Sequence, residues 1–548
     1  MTTRLPKALA VLFAFIFFSQ CSQPITSNGE IRLPDKPNIL MITCEDISPF
    51  LGSYGDSVAK TPHLDELARN GVRYTNMYSV SGVCAPSRSA LATGMYPTSI
   101  GTHNMRTLTN LSPGLPDYAV VVPEGVKHYA ELMRAEGYYV TNNQKSDYQF
   151  RGPITAWDEV SSTASYDKRA EGQPFFAIHN ATVCHESRIW KKANDPLLAD
   201  PDKVPVPPYF PDDSIIRKDI ARAYSNITEM DKWVGRLIDS LKSDGLYDKT
   251  VIIFYSDHGG PFPRHKRELY DTGLKVPFIV RYPYNQLAGT VDEALHSFVD
   301  IPVSVLSLAG VSIPDIMQGE AFLGNQASKT PRKYIYASRD RMDSEYDRVR
   351  AVRDSRFKYL KNYYPEKPYI QDIDYRLNMD LMVRLIEMHN EGQLNEVQKL
   401  WFRETKDEEE LFDTENDPYE LNNLAGDPQY ASKLNEMRDA LQSWQDKVGD
   451  LGEIPEEKLI EQMWNGQENA PVTKPVNYIL SEDKSQLTLK CPTDGASIGY
   501  QVDNEIGNGR WRVYTHPFAI EGFQEIRLRA HRIGYEPSEV LDLDIEKL

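Results

Sequence analysis

The chain has 548 residues, of which 41% are hydrophobic and 10% aromatic; that excludes disorder and exceeds one ordinary core. Its 61 Lys and Arg stand against 79 Asp and Glu, a formal charge of -18. A general nucleic-acid binder needs a basic surface, so that class is excluded, and an anionic substrate would need cations concentrated in one site.

Arg4 and Lys7 precede an apolar run from Ala8 to Phe18, long enough for a signal-peptide core and too short to span a bilayer. Residues 1–21 are expected to be a signal peptide. Cys21 opens the polar stretch Ser-Gln-Pro-Ile-Thr-Ser, which resembles a bacterial lipoprotein signal with Cys21 acylated, although Gln20 is larger than the usual preceding residue. The expectation is export to the periplasm or to the outer membrane, with a lipid anchor at Cys21. Cysteines 44, 84, 184 and 491 show no repeated spacing, so neither a disulfide framework nor a CxxC zinc site is indicated. Cys491 reads as a small buried hydrophobe in a strand.

Residues 38–43 form a short apolar run with the look of a buried strand. Pro62 opens a helix with Leu64, Leu67 and Ala68 on one face, and 126–136 is a second helical stretch followed by a strand at 138–141. Residues 175–178 read as a strand. The longest helix is expected over 217–243, where Ile220, Tyr224, Ile227, Val234, Leu237, Ile238 and Leu241 recur at helical spacing. A buried strand follows at 251–255. Strands alternating with helices define an α/β sandwich with a largely parallel sheet over 37–330. Short strands at 334–337, 349–352 and 357–360, with a polar helix over 428–444, suggest a smaller α+β subdomain over 331–450. Residues 451–476, rich in Glu, Pro, Gly and Asn, read as a linker, and alternating segments over 477–548 as a small all-β sandwich.

Two acidic pairs follow apolar strands directly: Glu45-Asp46 after the first and Asp257-His258 after 251–255. In open α/β sheets ligands bind at the carboxyl ends of strands, so the pairs can converge in one crevice. Such acids repel unless a cation neutralises them, which suits a hard-cation site; an Asp at a strand end equally often caps a turn.

Cys84-Ala-Pro-Ser-Arg88-Ser-Ala-Leu-Ala-Thr-Gly94 matches C-x-P-S-R-x-x-L-x-T-G at every specified position. With Thr61-Pro-His-Leu-Asp-Glu-Leu-Ala, Gly94-Met-Tyr-Pro and Ser256-Asp-His-Gly-Gly260, the chain over about 37–450 resembles the type I sulfatases of the alkaline phosphatase superfamily. The resemblance implies an alkaline-phosphatase-like fold and a sulfuric ester hydrolase whose Cys84 is oxidised to formylglycine by a maturation enzyme. The hydrated aldehyde is a geminal diol: one hydroxyl attacks sulfur and the other later expels sulfate by re-forming the carbonyl. A serine could attack but not eliminate.

The resemblance also implies a divalent cation, calcium with magnesium or manganese as alternatives, at Glu45, Asp46, Cys84, Asp257 and His258. Arg88 resembles the arginine that holds the formylglycine hydroxyls. Lys145 and Lys266 match the two sulfate-contacting lysines, and His185 matches the histidine near the leaving oxygen. Three positions depart from the pattern. Glu45 replaces the commoner Asp, His258 stands where many relatives have Asn, and Asp147 occupies the place of a histidine, which puts removal of the second diol proton in question.

His103, Arg106, Arg339, Asp340, Arg341 and Arg348 are expected to line the mouth of the site. The segments around Val206 and Ala351 resemble heparan N-sulfatases, and the terminal sandwich, with Trp511 and Tyr514, resembles the C-terminal domain of chitobiase-type hexosaminidases, whose aromatics could bind sugar. The expected activity is removal of sulfate esters or N-sulfate from a sulfated oligosaccharide or polysaccharide, including glycosaminoglycans. Two alternatives stand beside it: a phosphonate or phosphodiester hydrolase of the same superfamily, and an inactive glycan-binding lipoprotein.

Overall fold

The computed structural model describes residues 31–548; the expected signal segment and Cys21 lie outside the described residues. The principal sheet is formed by β1 (Asn38–Cys44), β2 (Val72–Tyr78), β3 (Tyr139–Asn143), β4 (Glu159–Val160), β5 (Phe175–Ala181), β6 (Thr250–Ser256), β7 (Lys275–Arg281), β8 (Thr290–Asp292) and β9 (His296–Ser297). Their order is β4-β3-β5-β1-β6-β7-β2-β8, with β9 also on β2. The run from β4 to β6 is parallel, whereas β7 is antiparallel to both neighbours.

β1 is apolar along its length because helices cover both faces of the sheet. Leu40, Ile42 and Cys44 pack with Ile227, Met230, Val234 and Leu241 of the long helix Ser214–Ser243. That helix starts where the Asp213 carboxylate accepts the Ile215 N–H, an N-cap bond. Met41 points to the other face, where the Tyr129 hydroxyl lies 3.5 Å from its sulfur at the start of the helix Tyr129–Ala135.

The smaller antiparallel sheet runs β10 (Ile335–Arg339), β11 (Val349–Arg353), β12 (Phe357–Asn362) and β13 (Glu409–Asp413) in that order, with the helix Ala431–Val448 against it. The segment expected as a linker is not one. It carries the helix Glu456–Met463, whose Leu459 and Ile460 are buried, and Trp464 follows them into a core with Ile100, Tyr118 and Val120. Leu459, Ile460, Met463 and Trp464 form an apolar helical stripe within a polar composition, and that stripe fixes the segment in place.

The terminal region places β14 (Asn477–Leu480), β15 (Gln486–Lys490) and β18 (Phe518–Ala519) in one sheet, and β16 (Ser497–Val502), β17 (Arg512–Val513), β19 (Glu525–His531) and β20 (Leu541–Asp544) in another. Its core holds Leu487, Leu489, Ile498, Ile526 and Leu528. The unit is docked closely on the larger one. Arg134 donates to the Trp511 carbonyl at 2.8 Å, and Lys127 donates to the Gly495 carbonyl and Ser497 Oγ, each at 2.9 Å. Gly534, at φ +88°, approaches so closely that a Cβ there would lie 2.3 Å from the Val120 oxygen. The sugar-binding expectation for Trp511 is corrected: its side chain is 9% exposed and packs beside Gly499. Tyr514 gives its hydroxyl oxygen to the Leu489 N–H at 3.0 Å. Cys491 is half-buried just beyond β15, not buried within it.

Candidate active site

The parallel register pairs Cys44 with Ser256 and with Ala181, so the residues after β1, β6 and β5 emerge side by side. Glu45-Asp46, Asp257-His258 and the turn leading to His185 therefore meet at one end of the sheet. Asp46 turns the chain at φ +54°, a conformation Asp tolerates better than most residues. Its N–H donates to Asp257 Oδ1 at 3.2 Å, and the next N–H, of Ile47, donates to Ser256 Oγ at 2.9 Å.

The helix Cys84–Thr93 supplies the third component. All of its residues are buried, Cys84 is its first, and Gly94 closes it at φ +68°. Ser87 donates to the Asp257 carbonyl at 2.5 Å, and Arg88 donates through Nε to Asp257 Oδ2 at 3.0 Å and through Nη1 to Asn180 Oδ1 at 2.8 Å. Cys84 Sγ then stands 3.4 Å from His258 Nε2. One ligand atom each from Cys84, Asp257 and His258 lies within 4.8 Å of the others, and the same holds for Asp46, Cys84 and His185.

Cations surround this group. Lys266 pairs with Asp46 Oδ2 at 2.6 Å and with Glu186 at 3.2 Å, and Lys145 pairs with Glu45. Burial opposes ionisation of the Cys84 thiol, yet Lys266 and Lys145 outweigh it and bring the group down to about 6. Burial likewise opposes charge on Asp46, and Lys266 and the neighbouring histidines hold it well below the usual carboxylate range. His258 is pushed the other way. Burial disfavours its cation, but Asp257 and Asp46 raise it to about 10, with Nε2 3.1 Å from Asp46 Oδ1 and 3.6 Å from Asp257 Oδ1.

The donors fit a hard divalent cation. Asp46 and Asp257 converge beside Cys84, Asp46 Oδ1 meets only His258, at 3.1 Å, and Arg88 Nη2 is left without a hydrogen bond, 3.8 Å from Glu45. Glu45 faces Lys145 and stays outside the two tight donor groups. His185 is half-buried, with Nδ1 2.8 Å from Ser187 Oγ and 3.2 Å from the Ser187 N–H.

At the rim, Asp147 (φ +57°) takes Arg106 at 3.1 Å and stands 3.9 Å from Lys145. Arg106 keeps 36% of its side chain exposed, so it remains open at the mouth. The other residues expected there are not. Arg341 is fully buried, donating to Glu456 Oε2 at 2.6 Å and Oε1 at 2.8 Å. Arg339 is buried against Glu268, and Arg348 against Asp450. Asp340 is engaged by Arg350, and His103 is buried, which lowers its affinity for a proton. Arg339, Arg341, Arg348 and Asp340 are thus neutralised by internal partners, away from the rim where Arg106 is exposed.

Several site neighbours were not singled out from sequence. Glu186 gives its N–H to Asp46 at 2.6 Å and its carboxylate to both Lys266 and Arg267. Asn180 orients Arg88, and Tyr375 stands edge-on to Trp190 at 5.2 Å beside the His185 segment. Only Glu186 and Arg267 carried a usable signal, as charged residues adjoining His185 and Lys266.

A buried cysteine and strand-end carboxylates enclosed by lysine, arginine and histidine define a hydrolytic site for a tetrahedral anion. Residues 37–311 match the family model described as Sulfatase, and residues 262–400 that of the N-sulphoglucosamine sulphohydrolase C-terminal region. An ulvan-active sulfatase of Formosa agariphila is 43% identical, over 95% of this chain and 93% of that protein. The N-sulphoglucosamine sulphohydrolase of Homo sapiens is 26% identical, over 74% of this chain and 89% of its own. A solved structure of a protein bound to its substrate D-glucosamine-2-N,6-O-disulfate shares the fold, with a TM-score of 0.55 and 19% identity over 77% of this chain and 100% of that one. The chain belongs to the sulfatase family and is a sulfuric ester hydrolase with an alkaline-phosphatase-like α/β fold.

Proposed function

We propose that the enzyme removes sulfate from a sulfated polysaccharide of the ulvan or glycosaminoglycan kind, with Cys84 oxidised to formylglycine. The observation that carries this reading is the convergence of Cys84 with Asp46, Asp257, Lys266 and His185. The 43% relative is ulvan-active, which supports the substrate class. Formylglycine supplies a hydrated aldehyde, with one hydroxyl to attack sulfur and one to release sulfate. Glu45, Asp46 and Asp257, with His258 alongside, would hold a divalent cation, calcium by preference for oxygen, which supplies Lewis-acid polarisation.

The chain's own residues do the rest. Lys266 and Lys145 hold the sulfate oxygens and offset charge that builds on them during attack. Arg88, fixed by Asp257 and Asn180, keeps Nη2 without a hydrogen-bond partner, 3.8 Å from Glu45, and that nitrogen would hold an oxygen on residue 84. His185 Nε2–H donates to the leaving oxygen as the ester bond breaks. Residues 1–21 direct export, and a lipid on Cys21 tethers the mature protein.

Peptide mass spectrometry of active enzyme should find formylglycine at position 84, and Cys84→Ala should lower turnover by at least about 10³-fold with the fold intact. Full activity in protein carrying only the thiol sinks the assignment. The native host should hold the protein in its membrane fraction, and Cys21→Ser should release it; an unchanged distribution removes the anchor.

A further inference from the structure

A cleft of about 370 Å³ opens between residues 180–183, at the end of β5, and one face of the helix Ser214–Ser243. That volume falls in the range of small-ligand clefts. The helix presents Lys232, Trp233 and Arg236 to it. Trp233 is half-buried, with its base packed against the central core, and Lys232 and Arg236 are exposed. Among the described residues neither of these two cations forms an ion pair; the cleft's own acid, Glu229, is taken by Lys192. In a chain of charge -18, two unpaired cations beside an indole are a local positive field with an apolar face between them.

That combination fits an anionic saccharide. An indole face covers the apolar C–H side of a sugar ring, and Lys and Arg take sulfate or carboxylate oxygens by charge-assisted hydrogen bonds. A protein partner would want a wider apolar patch than Trp233 and Val183 provide. The position points to the same ligand as the active site: Thr182 is exposed, Val183 half-buried, and the turn they form leads directly to half-buried His185.

We propose that this cleft is a second saccharide-binding site, holding a sulfated or uronate-bearing unit of the polymer whose scissile sulfate occupies the catalytic centre. This rests on the polysaccharide reading above. Its effect is one of attachment: a polymer held at two places stays longer than a fragment held at one.

The test compares intact ulvan or heparan sulfate, whichever the wild type desulfates, with the sulfated disaccharide cut from it. Lys232→Gln combined with Arg236→Gln should raise KM for polymer about ten-fold, leave kcat unchanged, and keep kcat/KM on the disaccharide within about two-fold. Trp233→Ala should act the same way, with Trp233→Phe, which preserves packing, giving a smaller change. An unchanged polymer KM in the charge variant overturns the cleft assignment, as does an equal loss on polymer and disaccharide. A wild type inactive on every sulfated polysaccharide but active on small sulfate esters overturns the parent reading, and this proposal with it.

Discussion

At the carboxyl ends of β1 and β6, Glu45, Asp46 and Asp257 face Arg88, Lys145 and Lys266. Elsewhere the sheet β10–β13 and its flanks bury Arg339, Arg341 and Arg350 against Glu268, Glu456, Asp340 and Asp450. Both regions place ions away from water, yet they are completed differently. Arg350 is saturated: Nε and Nη2 reach Asp450 at 2.7 and 2.8 Å, while Nη1 and Nη2 reach Asp340 at 3.1 and 2.9 Å. Arg88 Nη2 has no hydrogen-bond partner and lies 3.8 Å from Glu45, and Asp46 Oδ1 meets only His258, at 3.1 Å. Arg339 Nε in the second region is also unpartnered, but that guanidinium is neutralised by Glu268 at 2.7 Å and lies away from Cys84, whereas the open valences of Arg88 and Asp46 lie beside it. An open cluster is costly to stability, which is the usual price of a preorganised site.

The comparison is tested most severely at Lys266. Lys266→Ala should lower kcat/KM by about 10²–10³-fold, because a donor aimed at developing charge is lost. Its unfolding midpoint should fall as well, because fully buried Asp46 loses its 2.6 Å partner, although Arg267 still pairs with Glu186 at 2.8 Å. A variant that unfolds easily but keeps its activity per folded molecule would make Lys266 structural.

Glu456→Ala should affect stability alone. It strands Arg341, buried and unpaired, and removes the acceptor for the Tyr118 and Tyr346 hydroxyls, at a cost of about 3–5 kcal/mol. Below its lowered melting temperature kcat should match the wild type, measured by denaturant unfolding beside steady-state kinetics. A fall in kcat/KM with stability intact would return Arg341 to the substrate. A cut after Gly452 removes that acceptor, Glu456, together with the buried Leu459, Ile460 and Trp464, so the last 72 residues are best removed beyond Trp464.

These residues also mark how far the sequence is legible. Cys84, Arg88 and the strand-end acids could be read because each is local: a contiguous motif, or charges directly after an apolar run. Arg341 and Lys266 look alike in sequence, and what separates them is a partner 115 or 220 positions away. Glu456 was hidden in a segment whose composition resembles a linker. β7 is hard to read from the sequence for a different reason. Pro277 interrupts its apolar run, and a proline argues against a central strand. The sheet accommodates it with an irregularity in β2, where the register shifts between Tyr74 and Met77 opposite Phe278 and Val276.

The smallest expected effect concerns an acid in the second region that has no ion partner. Glu410, on β13, is buried and meets neutral groups: Asn362 Nδ2 at 2.7 Å, Tyr369 at 3.1 Å and Tyr270 at 3.4 Å. Burial raises its carboxyl to about 7, a shift that the hydrogen bonds from Asn362 and Tyr369 and the nearby Arg403 only partly oppose, with Asp407 adding to it. A carboxyl raised on folding binds a proton in the native state that the unfolded chain has already released. Stability from this group is therefore full below about pH 4.5, declines as pH rises toward 7, and is lost above it, by about 3 kcal/mol at most. Urea unfolding at pH 5 and pH 8 should show that decline in the wild type. Glu410→Gln, neutral throughout and able to accept from Asn362, should flatten it by the same amount. If the variant and the wild type lose stability in parallel, Glu410 is ionised in the folded protein, and the second cluster contains an open charge after all.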